Sequence, residues 1–183
     1  MGKRDPLVYL IIVFGAGCSL DYSQVSLAEE MSAQIPDSVL EEFSYTIVRS
    51  GSPRYRLEAS RAEFFGDREE TYLHGLRFLE FDSDGELVTE GNAERATYFT
   101  GSENAELEGS LSFYSASEEA TVSSDYLYWD AENKLLLGRS EGLVAIEKSS
   151  GSRLSGVGFE ADVRRRFVDF TGGVRGNYVS ETQ

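Results

Sequence analysis

A strand pattern that comes back every 31 to 34 residues constrains this chain more than any other feature. Alternating stretches ending in aromatics occupy residues 55–65, 88–99, 121–129 and 154–162, the last holding only Phe159. Each is followed by a polar turn and a short apolar approach to a glycine: Gly75, Gly109, Gly142 and Gly173. After the first three glycines the alternation resumes, in Leu76-Arg77-Phe78, Leu111-Ser112-Phe113 and Val144-Ala145-Ile146. Repetition at this spacing marks a supersecondary unit that buries its apolar face against copies of itself. Alternation gives every strand one apolar and one wet face. Four such units side by side make a long β structure with an apolar lining.

Composition narrows what that lining can serve. With 40% hydrophobic residues and 183 residues in all, the chain supports one domain with a core, plus a leader. Its net charge of −15 argues against nucleic acid, whose phosphates need a basic surface, and against charge-driven docking on an anionic membrane. A single cysteine precludes an internal disulfide.

That cysteine stands in the leader. Lys3 and Arg4 precede an apolar run from Leu7 to Phe14, which ends in Gly15-Ala16-Gly17-Cys18. A positive head, a short apolar middle and small residues at a cut site describe a secretory signal. The run is shorter than the roughly 20 residues that span a bilayer. The segment resembles a bacterial lipoprotein signal, with Cys18 as the lipidated first residue; an uncleaved anchor is the alternative. Residues 1–17 are therefore read as signal or anchor, 18–38 as a tether, 39–178 as the folded domain and 179–183 as a tail.

Within the domain, residues 39–48 turn β, with Phe43, Tyr45 and Ile47 on one face. Turns are expected at Gly51, Gly66-Asp67, Asp84-Gly85, Gly101-Ser102, Glu132-Asn133 and Ser150-Gly151. No segment between them has the length and period of a core helix. The fold expected is all-β: a sandwich, roll or open barrel of antiparallel strands.

Chemistry finds little support. The lone histidine, His74, sits beside Gly75 in what reads as a strand approach, without a partner that would make it a general base. A protein zinc site needs three or four Cys or His ligands, so neither metal nor cofactor is expected. Adjacent acids such as Glu41-Glu42, Glu69-Glu70 and Glu118-Glu119 point to opposite faces of a strand and do not converge. Asp82-Ser83-Asp84-Gly85-Glu86 reads as a hairpin rather than a calcium loop. Arg164-Arg165-Arg166, placed on a strand, is either a clamp for phosphate or carboxylate groups or a neutraliser of neighbouring acids.

The apolar face remains as the candidate site. Its inward residues are read as Leu57, Ala59 and Phe64, then Leu76 and Phe78, Leu111 and Phe113, Tyr126 and Tyr128, Val144 and Ile146, and Phe159. A repeated sheet without a covering helix must pack its two walls together or admit a ligand between them.

Several stretches carry a family likeness. They are Pro36-Asp37-Ser38, Gly51 leading into Tyr55-Arg56-Leu57-Glu58-Ala59, and Glu90-Gly91-Asn92-Ala93-Glu94-Arg95-Ala96-Thr97-Tyr98. Leu154-Ser155-Gly156-Val157-Gly158-Phe159-Glu160-Ala161-Asp162 and Thr171-Gly172-Gly173-Val174 complete the series. In this order they resemble the LptC family, the membrane-tethered periplasmic component of lipopolysaccharide export, and more loosely the soluble bridge LptA. The resemblance implies a twisted, open β-jellyroll that is no enzyme. Its apolar interior would carry the acyl chains of lipopolysaccharide or another envelope glycolipid. It also implies end-to-end joining by strand addition. The edge holding Phe43, Tyr45 and Ile47 would face an inner-membrane ABC transporter. The edge holding Phe167, Val168 and Phe170 would receive an LptA-like bridge. No phosphate-binding loop is present, so the energy would come from that transporter. A structural envelope lipoprotein assembling through its strand edges is the alternative.

Overall fold

The computed structural model describes residues 35–179, which form strands and turns without a helix. The leader with Cys18, most of the tether and residues 180–183 lie outside the described part. The strands are β1 (Ser38–Arg49), β2 (Ser52–Phe65), β3 (Glu70–Phe81), β4 (Leu87–Phe99), β5 (Asn104–Ser115) and β6 (Ala120–Asp130). Shorter ones follow: β7 (Leu135–Leu137), β8 (Leu143–Lys148), β9 (Arg153–Val157), β10 (Phe159–Asp162), β11 (Phe167–Phe170) and β12 (Val174–Asn177). All pairings are antiparallel, and the 12 strands form one open sheet.

The long strands are bent at their midpoints, and the bends line up across the sheet. Pairing of β2 with β3 lapses after Glu58↔Arg77 and resumes at Arg61↔His74. Between β4 and β5 it lapses from Asn92 to Arg95, and between β5 and β6 from Glu108 to Leu111. Gly75 and Gly109 sit in these gaps with φ of +61° and +74°, a region that disfavours residues carrying a Cβ. At Gly109 strand β5 holds one residue more than either neighbour, and such an extra residue bends a strand and increases its local twist, whereas β2 and β3 keep register across their gap.

Beyond β6 the sheet forks. The first half of β6 pairs with β8 through Ala120↔Lys148 to Ser124↔Val144, and its last residues pair with β7 through Tyr128↔Leu137 to Asp130↔Leu135. The short strands are the halves of further bent crossings: β7 and β8 separated at 138–142, β9 and β10 at Gly158, β11 and β12 at 171–173. Two walls result. Wall A holds the first halves of β2, β4 and β6, the second halves of β1, β3 and β5, and then β8, β9 and β12. Wall B holds the complementary halves with β7, β10 and β11.

The 31-to-34-residue repeat corresponds to successive crossings of the sheet. Gly75 and Gly109 are bends within strands rather than turns between them, and Gly142 and Gly173 lie in the breaks of the divided crossings. The period is one crossing out and back, returning to the same crease. The turns expected from Gly51 to Gly151 are present, Ser50-Gly51 having φ of 53° and 86° as a tight hairpin requires. The turn at 116–119 was not foreseen, since Ala-Ser-Glu-Glu carries no Gly, Asn or Pro. Arg164, Arg165 and Arg166 lie in the turn between β10 and β11, not on a strand.

The core follows the crease. Strands β2 to β5 each contribute a buried residue on either side of the bend: Ala59 and Ala62, Leu73 and Leu76, Ala93 and Ala96, Leu107 and Leu111. Alanine pairs on β2 and β4 alternate with leucine pairs on β3 and β5, so large side chains fill the space that small ones leave. Leu127, Val144 and Phe159 extend the cluster to the C-terminal end.

Candidate functional site

Beyond the crease the inner faces of both walls stay apolar but are no longer sealed. On wall A the register lines up Tyr45, Leu57, Phe78, Gly91, Phe113, Val122, Ile146 and Leu154 as cross-strand neighbours. On wall B the corresponding row is Phe64, Thr71, Tyr98, Ala105, Trp129, Leu136, Ala161 and Val168. Crease residues are buried, whereas Leu57, Phe64, Phe78, Phe113, Val122, Trp129, Ile146 and Leu136 are half-buried. Tyr45, Tyr98, Leu154 and Val168 are exposed. The walls therefore meet at the crease and leave a groove between their outer parts.

At its C-terminal half the groove opens into a cavity of about 1210 Å3. Phe113, Ala120, Val122, Ile146 and Leu154 of wall A line it, with Val168 from wall B. That volume lies above the roughly 300–1,000 Å3 of ordinary small-molecule pockets. Gly91 shapes the floor beside it. A Cβ there would stand 2.0 Å from the Phe113 ring, so only glycine lets that ring lie across β4 toward Phe78, 6.5 Å away between centroids. The two ends of the crease are closed by aromatics from opposite walls. Phe43 meets Phe64 edge-on at 5.9 Å, and Phe170, packed on Phe159 at 5.5 Å, crosses to Gly156.

The inward residues expected from sequence divide into three groups. Ala59, Leu76, Leu111, Val144 and Phe159 belong to the sealed crease. Leu57, Phe64, Phe78, Phe113 and Ile146 belong to the open rows, and Phe113 and Ile146 reach the cavity. Tyr126 and Tyr128 are corrected: they face outward, opposite Glu108 and Glu106 of β5, while Leu127 and Trp129 take the inner positions. The bend after Ser124 shifts the alternation by one residue, and a one-residue slip moves every later side chain to the other face. Val122, Tyr98, Trp129 and Leu136 are inward residues the alternation by itself did not single out. Phe43, Tyr45 and Ile47 lie on β1, which pairs only with β2, and Phe167, Val168 and Phe170 lie on β11, which pairs only with β10 among the described residues. Both are edges of the sheet. His74 stands between Arg61 and Arg95 on the neighbouring strands.

The outer faces carry the charge. Arg77 pairs with Glu90 at 2.7 Å and Glu58 at 3.4 Å, and Arg61 with Glu41 and Glu63 at 2.7 Å each. Such exposed pairs add little stability but keep the outer faces wet. Tyr126 lies under Arg139, whose guanidinium carbon is 4.0 Å from the ring centre. Burial, then a hydrogen bond to Glu106, pushes its phenol up to about 12. A raised tyrosine pKa stabilises the fold fully below the ordinary value of about 10, and that contribution is lost as pH climbs toward 12. An alkaline titration followed by phenolate absorbance should therefore show Tyr126→Phe removing one late-ionising tyrosine. The variant should also soften the loss of stability between those pH values.

Comparisons with known proteins bear on this geometry. A search among curated proteins found no match. Among solved structures, the chain is similar to that of LptH, the LptA-homologous periplasmic component of the lipopolysaccharide transport device of Pseudomonas aeruginosa. Identity is 8% and the TM-score 0.33, covering 81% of this chain and 99% of that one, a likeness too distant to argue from. The model of the family described as "Lipopolysaccharide-assembly, LptC-related" matches residues 7–179. With nearly its full length matched, the chain belongs to the LptC-related family of lipopolysaccharide-assembly proteins.

Proposed function

We propose that this chain carries the acyl chains of lipopolysaccharide, or of a related envelope glycolipid, in the groove between its walls. The lipid would arrive from an inner-membrane ABC transporter at the β1 edge and leave toward an LptA-like bridge at the β11 and β12 edge. The N-terminal segment would tether the domain to the inner membrane on the periplasmic side, through lipidated Cys18 or an uncleaved anchor. One observation supports this reading above the others: both inner faces continue apolar past the sealed crease, along a groove too large to be a packing defect. A scaffold would gain nothing from leaving Phe113 and Ile146 half open, since sealing them would strengthen the core.

Photo-crosslinking separates the two roles. A photoreactive residue at Phe113 or Ile146 should label lipid in cells, and one at outward Tyr126 or Tyr128 should not. Equal labelling at all four positions, or none at the inner pair, would leave the structural-lipoprotein reading in its place.

A further inference from the structure

The mouth of the cavity differs in charge from the rest of the molecule. Residues 35–147 carry nine basic and twenty-four acidic side chains, but residues 148–179 carry six basic and three acidic. The C-terminal end of an acidic protein is thus locally positive, and the apolar cavity lies at that end.

Lys148 and Arg153 line the opening, Arg153 already paired with Glu147 at 2.7 Å, and Arg166 reaches its rim through Glu118. Lys148 closes β8 opposite Ala120, a buried inner-face residue, so its side chain leaves wall A on the groove side. It lines the cavity together with the hydroxyl-bearing Ser115, Ser117, Ser149 and Ser150, and makes no ion pair among the described residues. Arg166 comes from wall B. Arg164 and Arg165 are engaged on that wall itself, with the Glu132 carbonyl and with Asp162 at 3.5 Å. Arg166 instead reaches across to Glu118 in the 116–119 turn of wall A. Hydrogen bonding and the charge of Arg166, with a smaller contribution from Lys148, hold the Glu118 carboxyl below its usual range. Glu119 stands next to it on the same rim.

A carboxylate between two cations, at the polar rim of an apolar cavity, occupies the place an anionic headgroup would take if its chains lay inside. We infer that Lys148 and Arg166 form a binding site for the phosphate or carboxylate group of the carried amphiphile, and that Glu118 is a built-in counterion which this group displaces. The inference rests on the groove being a lipid site. An arginine offers paired donors to phosphate oxygens and a lysine adds a point charge, which is why the two serve together. Displacement would also release the one ion pair seen between the tips of the walls among the described residues, so the mouth loosens as the headgroup seats.

The test uses the full chain held in an amphipathic polymer and two fluorescent-tailed lipids with identical chains, phosphatidic acid and diacylglycerol, which lacks a phosphate. The wild type should bind phosphatidic acid about tenfold more tightly, the worth of one charge-assisted hydrogen bond. Lys148→Gln with Arg166→Gln should abolish that preference, bringing phosphatidic acid down to the affinity of diacylglycerol. Glu118→Gln should strengthen phosphatidic acid binding severalfold, the opposite direction to any effect of a damaged fold. Raised salt should erode the preference, because the rim is exposed. Equal binding of the two lipids by the wild type would overturn the headgroup site and keep the groove. Binding of neither lipid would overturn both. Inorganic phosphate competing as strongly as phosphatidic acid would assign the cations to a free ion and overturn the headgroup assignment.

Discussion

Replacing Leu127 by alanine should lower the unfolding free energy by about 3 kcal/mol, within the range for large-to-small changes at sealed sites. Leu127 has no exposed surface and sits where the sheet forks, between Leu107 of β5 and the break that separates β7 from β8. The walls cannot collapse onto the vacancy, because the bends that hold them apart are set by backbone geometry at positions such as Gly109. For a domain of this size the melting temperature should fall by roughly 6 to 12 °C. Trp129→Ala, two residues along on the open row, should fall less, although it removes more atoms, because its site is already half open. Thermal unfolding followed by circular dichroism checks both. A larger loss at Trp129 than at Leu127 would mean that the groove is closed by packing in solution.

A negative charge on the floor of the cavity should have the largest functional effect. In Ile146→Glu the new carboxylate would stand between Val122 and Leu154, its cross-strand neighbours on the inner face. Without lipid it is reached by water and tolerated, since Ile146 is half-buried beside the opening. With acyl chains seated, it must lose that water without gaining a partner, a penalty of several kcal/mol unless it takes up a proton. Lipid co-purifying with the full chain should drop at least tenfold. Ser123→Glu, on the neighbouring strand β6 beside Val122 and opposite Ala145, places the same charge on the outer face and should leave uptake within twofold. Equal loss in both variants would point to general damage and not to an apolar channel.

These variants also mark how far reasoning from sequence could reach. Alternation of period two identified strands, and Asp84-Gly85, Ser50-Gly51 and Ser150-Gly151 identified hairpins, because both signals are local. Leu76 with Phe78, Leu111 with Phe113 and Val144 with Ile146 were legible as inward pairs, since no bend falls within any of them. Tyr126 and Tyr128 were not. They follow the bend after Ser124, and the skipped residue becomes visible only when β6 is set against β5. Gly75 and Gly109 could be found as a repeat, but their role as bends shows only when the neighbouring strands are set beside them: pairing lapses next to Gly75 and shifts register next to Gly109.

The chain's own residues determined that the described domain would be all-β, largely acidic outside and apolar within, and resemblance to the LptC family was readable in their order. Tertiary structure decided which halves of the strands stand in which wall, that Phe113 and Ile146 stay open while Leu127 is sealed, and that Arg166 of one wall reaches Glu118 of the other. The division has a physical cause. Propensity, turn chemistry and alternation act over a few residues, whereas the phase of a strand after a bulge, and the meeting of side chains 48 positions apart, are set by the strands packed beside them.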